Sequence, residues 1–350
     1  MIKRLKFHQK ALLSGLKDTK PYKLNFAVTY RCNHRCLNCN IWQKKIVDEL
    51  TTDEIKKFFQ KYQFSWINLT GGEIVLRPDI EDILDIVNKY NKDLYVLSLT
   101  SNALSYTRLI KITEKISRMN VPYTMATISL DGVSEMHNKV RGLPNAFKHT
   151  MLAIEGIKDI PGIQFQIGYT IYQENVGKLK GFVRHMEKNY EWFDVNKMHV
   201  NTMNLSGHYY SNKGLKIAED YNEKARTDIR YFMSRFKKDM SYAGVAERAY
   251  QKLNAKFQKT GVTPLPCKAL SASVFLDPNG FIYPCIIWTN KLGNLRNFDY
   301  DLNKIYETDE YKGLRELIKQ KKCPNCWTSC EATQTMLGNL MNPHFFMNIF

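Results

Sequence analysis

The sequence predicts an α/β fold: a partial (β/α)6 TIM-like barrel of parallel strands followed by a smaller C-terminal domain. Three observations predict it. Short apolar runs alternate with amphipathic helical runs, a cysteine triplet follows the first apolar run, and further cysteines accompany a β-hairpin pattern near the C-terminus. Strands that alternate with helices form a parallel sheet whose outer face the helices cover. In such a barrel the chemically active groups gather at the carboxyl ends of the strands.

Six strands and five helices make up the predicted barrel. The strands are predicted at residues 24–30, 66–70, 94–100, 124–130, 164–172 and 197–203. The helices between them, where apolar residues recur every three or four positions, are predicted at residues 52–63, 79–90, 107–119, 145–159 and 176–189. Residues 217–257 continue the helical pattern without a strand, so we expect a helical connection there.

The chain divides into five predicted segments. They are a basic N-terminal helical extension (1–23), the barrel core (24–210), the helical connection (211–260), a cysteine-bearing domain (261–335) and an apolar C-terminal tail (336–350). In the extension, aliphatic residues fall on one side of a helix and lysines elsewhere. We expect this helix to pack across the bottom of the barrel, with an interfacial membrane helix as the alternative.

The composition is strongly basic, with 51 Lys and Arg against 34 Asp and Glu and a formal net charge of +17. Such a field attracts anionic partners, among them phosphorylated small molecules, RNA and anionic lipid headgroups. The lysines are nevertheless scattered along the predicted helices. A solvated lysine-rich surface therefore explains most of this charge.

Targeting features are absent from the sequence pattern. No apolar run approaches the roughly 18 residues of a membrane span, and the lysine-rich N-terminus lacks the apolar segment of a signal peptide. We expect a cytoplasmic protein, with peripheral membrane binding as a further hypothesis. In a reducing compartment, clustered cysteines more often bind metal or carry out redox chemistry than form disulfides.

The cysteine triplet consists of Cys32, Cys36 and Cys39, with the spacing C-x3-C-x2-C. Three thiolates this close can bind three irons of a [4Fe-4S] cube and leave the fourth iron without a protein ligand. That iron is open to a small-molecule ligand. A structural zinc site is the alternative, but the one close candidate for a fourth ligand is His34, and so short a loop hinders it from turning inward with all three cysteines.

Two further motifs stand at the ends of later strands. The sequence TGGE at residues 70–73 ends the second strand, and its glycines permit a close approach of the backbone to a ligand. The sequence ISLDG at residues 128–132 ends the fourth strand, and HNKVRG at residues 137–142 follows in a predicted loop. Together with the cysteine triplet, these motifs resemble the radical S-adenosylmethionine (SAM) superfamily, over roughly residues 24–335.

The resemblance implies a cofactor and a chemistry. SAM would chelate the open iron, and an electron from the cluster would cleave SAM into methionine and a 5′-deoxyadenosyl radical that abstracts hydrogen from the substrate. The electron donor would be a protein such as flavodoxin or ferredoxin. The SAM-binding residues implied by the resemblance are Gly71, Gly72, Glu73, Asn102, Ser129 and Arg141. We expect Asp131 and His137 to stabilise their loop.

The C-terminal cysteines flank a predicted hairpin, whose turn is Asp-Pro-Asn-Gly at residues 277–280. They resemble the SPASM and twitch domains of radical SAM enzymes, which hold two auxiliary [4Fe-4S] clusters and one, respectively. Five cysteines cannot fully ligate two cubes, so we expect one auxiliary cluster, with a four-cysteine zinc site as the alternative. Its expected ligands are Cys267, Cys285, Cys323 and Cys326, with Cys330 as a substitute for one of the last pair.

The predicted function is that of a radical SAM enzyme acting on an unidentified peptide, anionic sugar or nucleotide, or lipid-linked substrate. The basic charge favours an anionic one. The auxiliary cluster would aid oxidation, bond formation or substrate binding. Candidates on the substrate side are Tyr169, Tyr172, His199, His208 and Tyr209. A zinc-braced basic RNA-binding protein and a radical SAM enzyme that modifies RNA are the alternatives, although no strand face interleaves aromatic residues and arginines as nucleic-acid binding would favour.

Overall fold

A computed structural model describes residues 2–16, 19–236, 241–342 and 345. Its strands are β1 Lys23–Ala27, β2 Trp66–Thr70, β3 Val96–Ser101, β4 Tyr123–Ser129, β5 Ile163–Ile171, β6 Met198–Thr202, β7 Ser273–Leu276, β8 Phe281–Tyr283 and β9 Gly293–Asn294. They form one nine-stranded sheet in the order β6-β5-β4-β3-β2-β1-β7-β8-β9. β1 to β6 pair in parallel, which confirms the predicted partial barrel.

The helices are α1 Ile2–Leu16, α2 Thr52–Lys61, α3 Ile80–Tyr90, α4 Tyr106–Ser117, α5 Glu135–Arg141, α6 Ala146–Ile157, α7 Leu179–Asn189, α8 Tyr221–Arg235, α9 Tyr242–Thr260, α10 Leu302–Tyr306, α11 Asp309–Lys319 and α12 Ser329–Gly338. Each predicted helix overlaps one of these. The prediction of a loop at residues 137–142 was wrong, because α5 occupies it. Seven residues make about two turns, too few to show a helical period in sequence.

The helix α2 illustrates how the sequence builds the outer layer. Thr51 and Glu54 form a reciprocal capping box that satisfies backbone N–H groups of the first turn. One face of the helix is apolar, and its residues Ile55, Phe58 and Phe59 are fully buried against the sheet. Burial of three such side chains stabilises the helix position by several kcal/mol, about 1.5–3 kcal/mol for each.

The inner face of the sheet borders an internal cavity. In β4, buried residues alternate with half-buried ones, as the two-residue period of a strand requires. The half-buried residues Tyr123, Met125, Thr127 and Ser129 line the cavity, and so do Asn68, Ser98, Gln166 and Asn201 from β2, β3, β5 and β6. Most of these side chains are polar but uncharged. The barrel interior therefore offers hydrogen-bonding groups to a bound molecule, next to apolar lining residues such as Phe7, Trp66 and Val96.

The C-terminal hairpin continues the barrel sheet. β7 pairs in parallel with β1, and β8 pairs antiparallel with β7. The predicted turn between them is present, because Asp277 Oδ1 accepts hydrogen bonds from the backbone N–H groups of Asn279 (3.0 Å) and Phe281 (2.9 Å). The cysteine-bearing region is thereby held against the barrel by backbone hydrogen bonds.

The N-terminal helix α1 packs across the bottom of the barrel, as predicted. Phe7 and Ala11 are buried there against Tyr22 and Trp66 at the amino ends of β1 and β2. The opposite side of α1 exposes Ile2, Leu5, Leu12 and Leu16.

Among the residues that the structure describes, no helix is both long and apolar enough to cross a bilayer.

The predicted apolar tail (336–350) is described only in part. Of its residues after 342, the structure describes Phe345. Phe345, which is described, is buried in a cluster with Leu253 and Trp327, so this part of the tail docks on the folded chain.

Candidate active site

The three N-terminal cysteines line one cavity of about 600 Å³, which extends through the barrel from the carboxyl ends of the strands to α1 at their amino ends. Cys32, Cys36 and Cys39 lie in the loop after β1, and none of the eight cysteines forms a disulfide. Two backbone hydrogen bonds tie this loop to the C-terminus of α5, from the Arg35 N–H to the Arg141 carbonyl and from the Leu37 N–H to the Val140 carbonyl (both 3.1 Å).

Glycines allow neighbouring loops to press against the cysteine loop. A Cβ atom at Gly72 would lie 2.3 Å from the Arg31 carbonyl oxygen, and one at Gly142 would lie 2.1 Å from the Arg35 carbonyl oxygen. Gly142 also has a φ of +68°, which L side chains rarely adopt. The close approach that the sequence suggested is thus to the cysteine loop itself, while Gly71 and Gly72 also line the cavity.

Arg141 lies beside the cysteines as a buried charge. Its Nη2 is 2.5 Å from Asp131 Oδ2, and its Nη1 donates to the Cys36 sulfur at 3.9 Å. Burial disfavours the guanidinium charge, but the Asp131 carboxylate and Cys36 outweigh it and raise the pKa of Arg141. Asp131 and His137 brace the loop, since the His137 Nδ1 accepts the Asp131 N–H at 3.0 Å, in agreement with prediction.

Glu73 connects the ends of β2 and β3. Its carboxylate accepts hydrogen bonds from the Ser101 hydroxyl (2.8 Å) and the Asn102 N–H (2.7 Å). The Asn102 side chain in turn donates to Asn33 Oδ1 in the cysteine loop (2.9 Å). Burial is the main reason that the pKa of Glu73 is raised. Of the predicted SAM-binding residues, the ones that line the cavity are Gly71, Gly72, Asn102, Ser129 and Arg141. Glu73 lies behind the cavity wall, and its role toward SAM stays a prediction.

Electrostatic effects link four of the five C-terminal cysteines to one another. Burial raises the pKa of the Cys267, Cys285, Cys323 and Cys326 thiols. Mutual electrostatic effects link Cys267 to Cys323 and to Cys285, and Cys326 to Cys285 and Cys267, so these four lie together. Cys330 lines the main cavity beside Lys23, and it shares its other charged neighbour, Glu331, with Cys267, Cys285 and Cys326.

The free cysteines fit the ligand chemistry of iron–sulfur clusters, because a [4Fe-4S] cube binds each thiolate through a different iron. Over residues 2–16, 19–236, 241–342 and 345, no three His, Cys, Asp or Glu side chains form a group that could hold a single metal ion. Backbone N–H groups donate to the sulfurs of Cys267 (from Ala269) and Cys285 (from Trp288), both at 3.4 Å.

Several buried polar atoms beside the N-terminal cysteine triplet have no hydrogen-bond partner among the described residues. Both ring nitrogens of His34 and the Nε of Arg141 are buried without a hydrogen-bond partner among the described residues. Burial is the largest cause that lowers the pKa of His34, to about 3, so this ring is neutral. Burial also raises the pKa of Cys32 to about 12, so its thiolate needs a metal to form at neutral pH. These features fit a cluster with a polar small-molecule ligand.

The far wall of the cavity carries an acid–base pair. His199 Nδ1 lies 2.6 Å from Glu247 Oε2, and Gln251 Nε2 donates to Glu247 Oε1 at 2.7 Å. Burial disfavours imidazolium, but Glu247 outweighs it and raises the pKa of His199. The strand register places Ser129, Gly168 and His199 in one row across β4, β5 and β6. Adjacent strands are about 4.8 Å apart, so the Ser129 and His199 backbones are about 10 Å apart.

The five candidates for the substrate side differ in whether they line the cavity. Tyr172, His199 and Tyr209 line the cavity, whereas Tyr169 and His208 do not. His208 stacks on Tyr283 at 4.2 Å between ring centroids. Sequence reasoning missed Glu247. Its spacing of four from Gln251 puts the two on one helical face, but nothing local in the sequence indicates that this face meets β6.

Two family models match the chain. The radical SAM superfamily model matches residues 26–184. An iron–sulfur cluster-binding SPASM domain model matches residues 267–331. The chain belongs to the radical SAM superfamily and carries a C-terminal SPASM domain. Membership implies SAM and a [4Fe-4S] cluster, a SPASM domain implies auxiliary iron–sulfur clusters, and radical SAM enzymes use a reductant. The alternative of a zinc-braced RNA-binding protein was therefore wrong.

Individual relatives of this radical SAM enzyme are distant. The AdoMet-dependent heme synthase of Methanosarcina barkeri is 31% identical over 169 residues, which span 45% of this chain and 45% of the synthase. The mycofactocin maturase MftC of Mycolicibacterium smegmatis is 22% identical over 94% of this chain and 80% of its own length. A structure of native anSMEcpe with bound AdoMet and a Cp18Cys peptide has the same fold, with a TM-score of 0.60, 15% identity and coverage of 94% and 96% of the two chains.

Proposed function

We propose that this radical SAM enzyme abstracts hydrogen from a peptide held in the barrel cavity. When bound, the cluster and SAM supply a one-electron reduction that cleaves SAM to methionine and a 5′-deoxyadenosyl radical. The observation that carries the proposal is the common cavity, which joins the Cys32, Cys36 and Cys39 thiols to Ser129 and Arg141 and extends along the polar inner face of the sheet.

The residues around the cysteine loop have distinct roles in this proposal. Cys32, Cys36 and Cys39 hold the cluster. The Ser129 hydroxyl and the Arg141 guanidinium bind the SAM carboxylate, a contact suited to the charge-assisted hydrogen bonds of arginine. Gly71, Gly72 and Asn102 form the wall next to SAM, and Glu73 contributes by fixing Asn102, whose N–H it accepts at 2.7 Å.

The C-terminal region holds one auxiliary cluster in this proposal. Its ligands are Cys267, Cys285, Cys323 and Cys326, whose thiols lie together. Cys330 is left outside the set because it lines the main cavity. These residues would hold a cluster that could supply electron acceptance from a substrate radical or help to bind the substrate, and the electron that starts the reaction would come from flavodoxin or ferredoxin.

The charges of the cavity favour a neutral polar substrate. Among the described residues that line it, the lysine and arginine side chains are Arg4, Lys23 and Arg141. Two of them have partners already: Arg141 pairs with Asp131, and Lys23 donates to the Cys330 carbonyl (2.7 Å) and to Gln334 (2.8 Å). The excess positive charge of the chain is therefore not concentrated here. Amide and hydroxyl side chains match peptide groups, which supports a peptide over an anionic sugar or nucleotide.

The experiment that tests the radical SAM assignment is reconstitution under anaerobic conditions, followed by dithionite and SAM. We expect about eight irons per chain and formation of 5′-deoxyadenosine. The Cys36→Ala variant should keep about four irons and form no 5′-deoxyadenosine. Zinc in place of iron, or 5′-deoxyadenosine formed by the variant at the wild-type rate, would refute the assignment.

The substrate class is tested separately. Peptides, nucleotides, RNA and lipid-linked sugars are each added to the reconstituted enzyme, and 5′-deoxyadenosine formation and substrate mass are followed. We expect a peptide to raise the rate above the substrate-free level and to change in mass. A mass change confined to a nucleotide, RNA or lipid-linked sugar would replace the peptide proposal.

A further inference from the structure

The segment that carries the cysteine triplet exposes an apolar surface. Leu37, Trp42, Ile46 and Val47 have 44%, 38%, 37% and 58% of their surface exposed. All four fall within eleven residues of one segment, between or just after the cysteines, and Trp42 lies in a short 3-10 helix, Ile41–Gln43. Singly exposed apolar residues are ordinary, but a group of large ones indicates a binding surface.

The same segment is basic. Residues 31–47 contain Arg31, Arg35, Lys44 and Lys45 and no Asp or Glu. The Arg35 guanidinium lies 5.6 Å from the Trp42 ring centroid, which places positive charge next to the apolar group. Within the described part of the chain, no salt bridge engages Arg31, Arg35 or Lys45, whereas the next acidic residue, Asp48, pairs with Arg296 at 2.8 Å. The positive charge of the loop is thus available to an acidic partner.

The exposed apolar residues are close in sequence to the cysteines that are proposed to hold the cluster, where an electron must enter. Leu37 lies between Cys36 and Cys39 in the chain, and Trp42 follows Cys39 by three residues. Leu37 is also fixed by the hydrogen bond of its N–H to the Val140 carbonyl. A protein that contacts the exposed Leu37 side chain would therefore lie next to the residues that are proposed to hold the cluster.

We propose that Arg35, Leu37, Trp42, Lys45, Ile46 and Val47 form an electron-entry surface that docks a small acidic flavoprotein of the flavodoxin type. The inference rests on the proposed function, in which the cluster on this loop must be reduced. One electron passes from the reduced anionic flavin to the cluster, the flavin becomes a neutral radical, and no bond forms or breaks.

The chemistry of the surface favours this partner. Its centre is aliphatic and aromatic, which matches the apolar dimethylbenzene edge of a flavin ring, and its rim is cationic, which matches an acidic protein. Rim charges mainly set the association rate and its salt dependence, whereas apolar contacts at the centre set the dissociation rate.

The test compares two electron sources on the same enzyme. 5′-Deoxyadenosine formation is measured with flavodoxin, its reductase and NADPH, and again with dithionite, which needs no docking surface. The readout is the ratio of the two rates. We expect Val47→Glu and Lys45→Glu to lower this ratio at least about tenfold, because each places negative charge against an acidic partner. The matched control is Leu16→Glu, at an exposed leucine on α1, and it should keep the wild-type ratio.

Binding of oxidised flavodoxin to the reconstituted protein is measured in parallel at low and high salt. We expect an affinity that falls with salt and is weakened by the two loop variants. Unchanged ratios and affinities in both variants, an equal loss in Leu16→Glu, or reduction by ferredoxin with no binding of flavodoxin would overturn the proposal. Failure with dithionite itself would count against the radical SAM assignment, and the binding measurement would still decide the docking surface.

Discussion

The Arg141 guanidinium lies 2.5 Å from the Asp131 carboxylate and 3.9 Å from the Cys36 sulfur. This side chain therefore connects the end of β4 with the cysteine loop. The charge balance is local, since Asp131 holds a buried cation in place beside thiols that become anionic when they bind iron. Removing either partner leaves a buried charge, which is far more costly than removing an exposed pair.

Asp131→Asn should destabilise the apo chain by about 3–5 kcal/mol, because Arg141 would remain buried without its counter-charge. The free energy of unfolding in urea measures this. The control is Asp85→Asn, since Asp85 is 65% exposed and pairs with Lys115 at 2.8 Å. It should cost less than about 1 kcal/mol. Equal losses in the free energy of unfolding would show that the buried Asp131–Arg141 pair stabilises the chain no more than an exposed pair does.

Gly142→Ala should displace the cysteine loop and reduce iron binding by the N-terminal triplet. Its Cβ would lie 2.1 Å from the Arg35 carbonyl oxygen, so the backbone must move. Gly177→Ala is the matched control, because Gly177 has a φ of +79° but no atom within 4 Å of the added Cβ. We expect the control to lose about 1–2 kcal/mol from its left-handed backbone alone and to bind iron normally. Normal iron binding by Gly142→Ala would contradict the packing argument.

Cys326→Ala should remove the auxiliary cluster, and Cys330→Ala should leave it in place. The first thiol lies with Cys267 and Cys285, while the second lines the main cavity. Iron content should fall from about eight to about four per chain in the first variant and stay at about eight in the second. The opposite pattern would identify Cys330 as the ligand and release Cys326.

Glu247→Gln should destabilise the chain more at about pH 6 than at about pH 8.5. Glu247 raises the pKa of His199 above its ordinary value near 6.5. A group with a raised pKa contributes stability that is complete below its unfolded pKa and lost as the pH rises through its folded pKa. The free energy of unfolding at the two pH values measures this.

The control for that measurement is Glu187→Gln, which removes an exposed partner of Arg235 at 2.8 Å and should show no such pH dependence. In a spectrum of histidine-labelled protein, Glu247→Gln should also lower the pKa of one histidine, assigned by its loss in His199→Asn. The proposed ion pair of His199 and Glu247 would be contradicted if Glu247→Gln lowered stability equally at both pH values and left the pKa of every histidine unchanged.

The sequence by itself determined the fold class, the N-terminal cysteine triplet and the motifs at the strand ends. These are local features, set by the two-residue and 3.6-residue periods of apolar residues and by ligand spacing within one loop. The tertiary structure alone decided that Glu73 does not line the cavity, that Cys330 does line it, and that Glu247 meets His199 across 48 positions of sequence. Such pairings depend on strand register and on how distant helices pack, and one residue of register reverses the face that a side chain occupies.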